Sequence, residues 1–216
     1  MTPRSVTCVS PPALNGVSDV DVFVTDNGVD FSSSALFQYI PNPAVNSISP
    51  HSGPATGSTL VTVTGANFRA GSSFTCKFGD TTTKGTVLAH TTATCRAPPS
   101  SSPDAVDILV SNNGIEFSAI AANRNDAKFS YFEPAKITDV EPRNGAVGRT
   151  TAVTLTGVNF ESLISSTFCR LSSSPLSVAT AHSSSSQSSI ICDILCPSQQ
   201  GKHFIEVSMN DGHDYT

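Results

Sequence analysis

Shifted by 92 positions, residues 37–68 of this 216-residue chain align with residues 129–160 without a gap, and eleven of the 32 pairs are identical. The identities include Tyr39/Tyr131, Pro50/Pro142, Gly53/Gly145, Gly65/Gly157, Asn67/Asn159 and Phe68/Phe160. A second block occurs three times: VTCVSPP with DVDVFVTDNGVDF over 6–31, ATCRAPP with AVDILVSNNGIEF over 93–117, and IICDILCP with FIEVSMNDGHDY over 190–215. Self-similarity at a fixed period of this size means one structural unit used repeatedly. The register gives residues 1–42 as the C-terminal part of a first unit, 43–133 as a complete one, and 134–216 as a third that lacks its final strand. Such a pattern is expected of a window within a longer tandem array.

Inside the complete unit the hydrophobic period is that of strands. Val61 and Val63 alternate with Thr62 and Thr64, and Val106, Ile108 and Val110 alternate with Asp107 and Leu109. That pattern makes one core-facing and one mostly polar face. The same alternation places Val20, Val22 and Val24, and Val153 and Leu155, toward a core. Asn27-Gly28 and Asn113-Gly114 are read as hairpin turns with positive φ at both positions. In the third copy Val207 lies 15 residues after Cys192, as Val110 lies 15 after Cys95, yet Tyr215 arrives one residue late, so the turn around Asp211-Gly212 is one residue longer. No segment carries sustained 3.6-residue periodicity, so the fold class is all-β, tandem immunoglobulin-like β-sandwiches. With no Trp in the chain, Phe68, Phe74, Phe78 and Phe117 are expected to fill the core.

Cys76 and Cys95 of the complete unit recur as Cys169 and Cys192, with 18 and 22 residues between partners. Pairs repeated at matched places in a sandwich suggest one disulfide per unit and an oxidising compartment. Closing an 18-residue loop is worth about 3 kcal/mol in the chain-entropy picture. A zinc site needs four ligands at close spacing, which these positions do not supply. Cys8 occupies the place of Cys95 without a partner in view, and Cys196 falls where the sister copies have Pro12 and Pro99. Both are unpaired or intermolecular cysteines, with a buried thiol the alternative for Cys196.

Composition excludes several functions. Only 13% of residues are charged and the net charge is −5, so no clustered Lys/Arg surface is available for nucleic acid or anionic lipid. No apolar run approaches the 18 or so residues of a membrane span, so this segment is not expected to insert in a bilayer, and residues 1–20 lack the apolar core of a leader. No Gly-x-Ser-x-Gly elbow occurs, the five histidines stand apart, and GPATGST at 53–59 has no Walker lysine. No catalytic residue, metal site or cofactor is expected. Carboxylates beside the turns, among them Asp26, Asp30, Glu116, Asp211 and Asp214, are too few for the six to eight oxygens of a calcium cage and are read as solvated. None of the twelve Asn residues begins an Asn-x-Ser/Thr sequon; Ser183, Ser184, Ser185 and Ser186, in a Ser-rich stretch, are candidates for O-linked sugar.

The run ISPHSGPATGSTLVTVTGANF at 48–68, followed by FTCKFGD, ATCRAPP and VDILVSNNGIEF, resembles the IPT/TIG domain, as does ITDVEPRNGAVGRTTAVTLTGVNF at 137–160. CDILCP in the third copy departs from the Cys-x-x-Pro pattern. The resemblance implies seven-strand sandwiches arranged end to end, typical when cysteine-bearing of extracellular or cell-surface proteins. The function expected is a non-catalytic structural or adhesion module acting as spacer, adhesive surface or filament component. Its partners would be proteins or further copies held through sandwich surfaces, and possible glycans. The alternatives are a receptor ectodomain that binds a ligand, with Phe23, Phe37, Tyr39 and Phe132 as candidate anchors, or an accessory domain of a secreted carbohydrate-active enzyme. An intracellular transcription-factor role is disfavoured by the acidity and the cysteine pairs.

Overall fold

The computed structural model of the chain describes all residues except 1–4, 14–18, 72, 103, 121–123, 161–166, 173, 184–187 and 199, and the backbone alone at 124 and 174–183. The chain folds as two units, residues 1–42 and 43–216.

In the first unit β1 (Asp19–Val22) pairs antiparallel with β2 (Ala35–Gln38), from Asp19↔Gln38 to Val22↔Ala35. Every residue of both strands is exposed. The expected core face of Val20, Val22 and Val24 is therefore not buried; these valines are 36%, 37% and 51% exposed. Alternation selects a face, but burial requires a second layer, and a lone two-stranded ribbon has none.

In the complete repeat eight strands form one ladder in the order β3-β5-β8-β7-β6-β9-β10-β4. They are β3 (Ala44–Ser49), β4 (Ser52–Pro54), β5 (Leu60–Ala66), β6 (Thr75–Phe78), β7 (Thr81–Ala89), β8 (Thr92–Arg96), β9 (Ala105–Ser111) and β10 (Lys128–Phe132), with a 3-10 turn at Arg124–Ala127 before the last. The expected seven strands become eight because the first is interrupted at Pro50. Proline has no N–H for a ladder; β3 joins β5 on one side and β4 joins β10 on the other.

β7 serves both layers. Its first half pairs with β6 and its second half with β8. The crossing point is Gly85, where a Cβ would stand 2.6 Å from Cys95 Sγ and 2.7 Å from Phe74 Cδ1. Only glycine lets the strand pass this close to the core. Around it Val61, Val63, Phe74, Ile108, Val110 and Phe129 are fully enclosed. Phe68, Phe74 and Phe78 belong to this core. Phe117 does not: it is half-buried beneath Lys77, whose Nζ lies 5.8 Å from the ring centroid. It follows the turn, outside the alternating positions of β9, and its ring presents a face to the Lys77 cation.

The third repeat runs β11-β12-β15-β14-β13-β16, comprising β11 (Lys136–Glu141), β12 (Thr150–Val158), β13 (Phe168–Leu171), β14 (Ser174–Ser183), β15 (Ser189–Leu195) and β16 (Ile205–Ser208). Leu155, Phe160, Cys169, Cys192 and Val207 fill its core. Among the described residues β16 pairs with β13 alone. In the sister repeat the equivalent β9 lies between β6 and β10.

Candidate interaction site

Each repeat carries a loop closed by the same hydrogen bonds. Val24 O accepts from Ser32 N, Val110 O from Ser118 N and Val207 O from Thr216 N, at 2.8, 2.8 and 3.0 Å. The hydroxyl of that Ser or Thr accepts in return from the same valine N–H. Within the loop Thr25 Oγ1 and Ser111 Oγ accept from the N–H of Gly28 and Gly114. Asn27 Oδ1 accepts from the N–H of Val29 and Asp30, and Asn113 Oδ1 from those of Ile115 and Glu116. Side-chain oxygens that capture nearby amides offer the backbone an alternative to a tight ladder turn. The two-residue turn with positive φ at both positions is accordingly not what forms: Gly28 and Gly114 have φ of +74° and +79°, but Asn27 and Asn113 stay outside the left-handed region.

The closing residues of the third loop, Val207 and Thr216, are nine positions apart, where those of its sisters are eight apart. Here Asp211 and Gly212 both have positive φ, 56° and 80°. Ser208 Oγ accepts from Gly212 N–H at 2.9 Å, and Asn210 Oδ1 accepts from Asp214 N–H at 3.0 Å. Asn210 Nδ2 donates to Asp214 Oδ2 at 2.8 Å, the counterpart of the Asn27–Asp30 and Asn113–Glu116 pairs.

This longer loop reaches the preceding repeat. Asn210 Nδ2 also donates to Ser52 O at 2.9 Å, and Thr59 Oγ1 donates to Asp214 Oδ2 at 2.7 Å. Thr59 is 1% exposed, so the carboxylate satisfies a buried hydroxyl. Asp214 is therefore not the solvated turn carboxylate that its place beside a turn suggested. Phe132, the last residue of β10, packs against the core of the third repeat. Its place as a ligand anchor is taken by contact between repeats. Behind the loop Arg170 stacks its guanidinium 3.5 Å from the Tyr215 ring centroid while its Nε donates to Glu206 at 2.7 Å. Lys77 over Phe117 repeats this arrangement one unit earlier.

The third repeat also carries a cleft of about 580 Å³, lined mainly by apolar groups including Ile137, Val140, Val147, Leu171, Phe204 and Ile205. Phe204 is 79% exposed. It was not among the sequence-derived anchors because it occupies the outward position held by Asp107 in the sister strand; that replacement of an acid by Phe is the available signal. At the rim Arg143 donates to Asp139 at 2.6 Å. The Val140 N–H, and next the Arg143 charge, hold the Asp139 carboxyl below its ordinary range. Burial pushes the Tyr131 phenol of the sister repeat up to about 12.

Cys76–Cys95 and Cys169–Cys192 are disulfides, with Cα separations of 6.3 and 6.2 Å. Each joins the two strands flanking the shared strand, β6 to β8 across β7 and β13 to β15 across β14. Cys8 is free and exposed, and Cys196 is free and half-buried in the cleft, its Sγ 3.7 Å from Thr151 Oγ1. Ser183 ends β14, while Ser184, Ser185 and Ser186 lie outside the described residues. Among the described residues no three His, Cys, Asp or Glu side chains gather as a metal site. No helix among them is long and apolar enough to cross a membrane.

A family model described as IPT/TIG domain matches residues 43–131 and again 135–216. Among solved structures, the full extracellular region of plexin A4 matches with a TM-score of 0.52 and 19% identity, over 83% of this chain and 15% of that one. A glucan utilization locus protein of Bacteroides ovatus, SGBP-B, solved with a mixed-linkage heptasaccharide, matches with a TM-score of 0.34 and 13% identity, over 93% of this chain and 48% of that one. The first of these likenesses supports the fold; this chain spans less than half the length of either structure.

Proposed function

Because the chain belongs to the IPT/TIG domain family, we propose that it is a non-catalytic extracellular segment of a tandem array, in which consecutive sandwiches are held at a fixed relation and act as a spacer or adhesive surface. In this reading residues 1–42 are the C-terminal part of one domain, 43–133 a complete domain, and 134–216 a domain without its final strand. The junction carries the proposal: the Asn210–Asp214 loop hydrogen-bonds to Ser52 and the buried Thr59 of the preceding repeat. A flexible string of domains has no use for a carboxylate that satisfies a buried hydroxyl across the boundary. The disulfides support placement in an oxidising compartment.

Residual dipolar couplings test the spacer role. One alignment tensor fitting residues 43–131 and 135–216 together is expected, and two independent tensors would overturn it. Thiol counting on secreted, non-reduced protein tests the compartment: blocked Cys76, Cys95, Cys169 and Cys192 are expected, and free thiols there count against it.

A further inference from the structure

Two reactive dipeptides occupy the same loop of successive repeats. Asn-Gly occurs four times in the chain, and Asn27-Gly28 and Asn113-Gly114 are the two that the repeat aligns. All four of these residues are exposed. An asparagine followed by glycine loses its side-chain amide readily, because no side chain on the glycine crowds its nitrogen. A Cβ at Gly28 would meet nothing within 4 Å, and one at Gly114 would come no closer than 3.4 Å to Ser73 O. The reaction is a cyclisation. The glycine nitrogen gives its proton to base and its lone pair attacks Asn Cγ; the amide nitrogen takes a proton from water and leaves as ammonia, and a succinimide remains. Water then opens the ring at either carbonyl, which yields aspartate or isoaspartate.

In both loops a single hydroxyl binds the attacking group and the attacked one. Ser111 Oγ accepts from Gly114 N–H at 2.8 Å and donates to Asn113 Oδ1 at 3.0 Å. Thr25 Oγ1 accepts from Gly28 N–H at 2.9 Å and donates to Asn27 Oδ1 at 3.2 Å. The proton that must leave is thereby held, and the carboxamide is anchored as well. Asn113 Oδ1 also accepts from Ile115 N–H and Glu116 N–H at 3.0 and 3.1 Å, and its Nδ2 donates to the Glu116 carboxylate. Turning Asn113 Cγ toward Gly114 N breaks these bonds together. The third loop has a different length, with Asp211 before Gly212, a pair that closes the same ring with loss of water. There Ser208 Oγ still accepts from Gly212 N–H at 2.9 Å. The hydroxyl stays on the glycine nitrogen even where the loop has changed.

We propose that Asn27 and Asn113 are deamidation sites kept latent by Thr25 and Ser111, positioning residues whose hydroxyls oppose succinimide closure. Ser111 is fully buried, so water does not compete for its hydroxyl while the loop is closed. Conversion of Asn113 replaces an amide that donates to Glu116 with a second carboxylate in the same place, and two like charges in contact repel. The loop is tied to its own sandwich through Asn112, whose Nδ2 donates to Asn67 O and whose Oδ1 accepts from Arg69 N–H. Deamidation next to Asn112 therefore loosens that tie. The inference goes beyond the spacer reading and does not depend on it.

The full chain and a free peptide of residues 108–119 are incubated at mildly alkaline pH, and mass spectrometry of proteolytic fragments follows amide-to-acid conversion and isoaspartate. Asn113 is expected to convert about tenfold or more slowly in the chain than in the peptide, since several hydrogen bonds must break together. Ser111→Ala should speed conversion at Asn113 about three- to tenfold, the rate equivalent of one such bond, and leave Asn27 unchanged. Thr25→Val should do the reverse, while Thr25→Ser, which keeps a hydroxyl, should hold Asn27 at its native rate. Ser118→Ala separates protection from loop loosening, because Ser118 closes the same loop through Val110 N–H without touching Gly114. It should change the rate less than Ser111→Ala does. Conversion in the chain as fast as in the peptide overturns the proposal, as do unchanged rates in both hydroxyl deletions. Equal rates for Thr25→Ser and Thr25→Val, or for Ser118→Ala and Ser111→Ala, overturn it too.

Discussion

Thr59 Oγ1 donates a hydrogen bond to Asp214 Oδ2 at 2.7 Å across 155 residues of sequence, joining the start of one sandwich to the last loop of the next. The loop reaches because it holds one residue more than its sisters, and the threonine has no solvent alternative because it is buried.

Asp214→Ala leaves that hydroxyl without its carboxylate, and a buried donor deprived of its partner costs about 1–3 kcal/mol. Chemical denaturation of Asp214→Ala, Thr59→Val and the double variant gives the coupling between them. Additive effects would mean that the hydrogen bond does not join the repeats.

Gly85→Ala is expected to destabilise the complete repeat by about 1–3 kcal/mol, the range for overpacking a core. The new methyl would stand 2.6 Å from Cys95 Sγ. Unfolding in urea measures the loss. An unchanged midpoint would show that β7 can yield at its crossing point.

Cys76→Ser with Cys95→Ser opens a loop of 18 residues, which should lower stability by about 3 kcal/mol. Denaturation under non-reducing conditions is the measurement. The second disulfide is left intact, so the third repeat's transition should stay in place.

Tyr131 contributes pH dependence at the alkaline end. Its folded pKa, about 12, is raised by burial, against about 10 in an unfolded chain. The folded state holds this proton more tightly, so the contribution is complete below about pH 10 and is lost as pH rises through about 12. Urea midpoints of the native chain should fall across this window by more than those of Tyr131→Phe. Parallel curves would remove Tyr131 as the source.

Much of the fold was legible because a repeat states the same constraint more than once. Val61 and Val63, and Ile108 and Val110, read as core positions from alternation and are enclosed. Val20, Val22 and Val24 carry the same alternation and remain exposed, because periodicity records which face is apolar and not whether a second layer covers it. Phe117 was misplaced for a related reason: hydrophobicity does not distinguish a ring inside a sandwich from one lying under a lysine.

Sequence alone determined the strand periodicity, the repeat register, the matched cysteines and the extra residue in the last loop, all of them local or recurrent along the chain. Only the tertiary structure decided what that extra residue does, that Phe132 packs into the next repeat's core, and that Gly145, Leu171 and Phe204 border one cleft. Those relations join positions far apart in sequence. They depend on which strand edges and loop ends folding brings within hydrogen-bonding and packing distance, and no local pattern of residues encodes that distance.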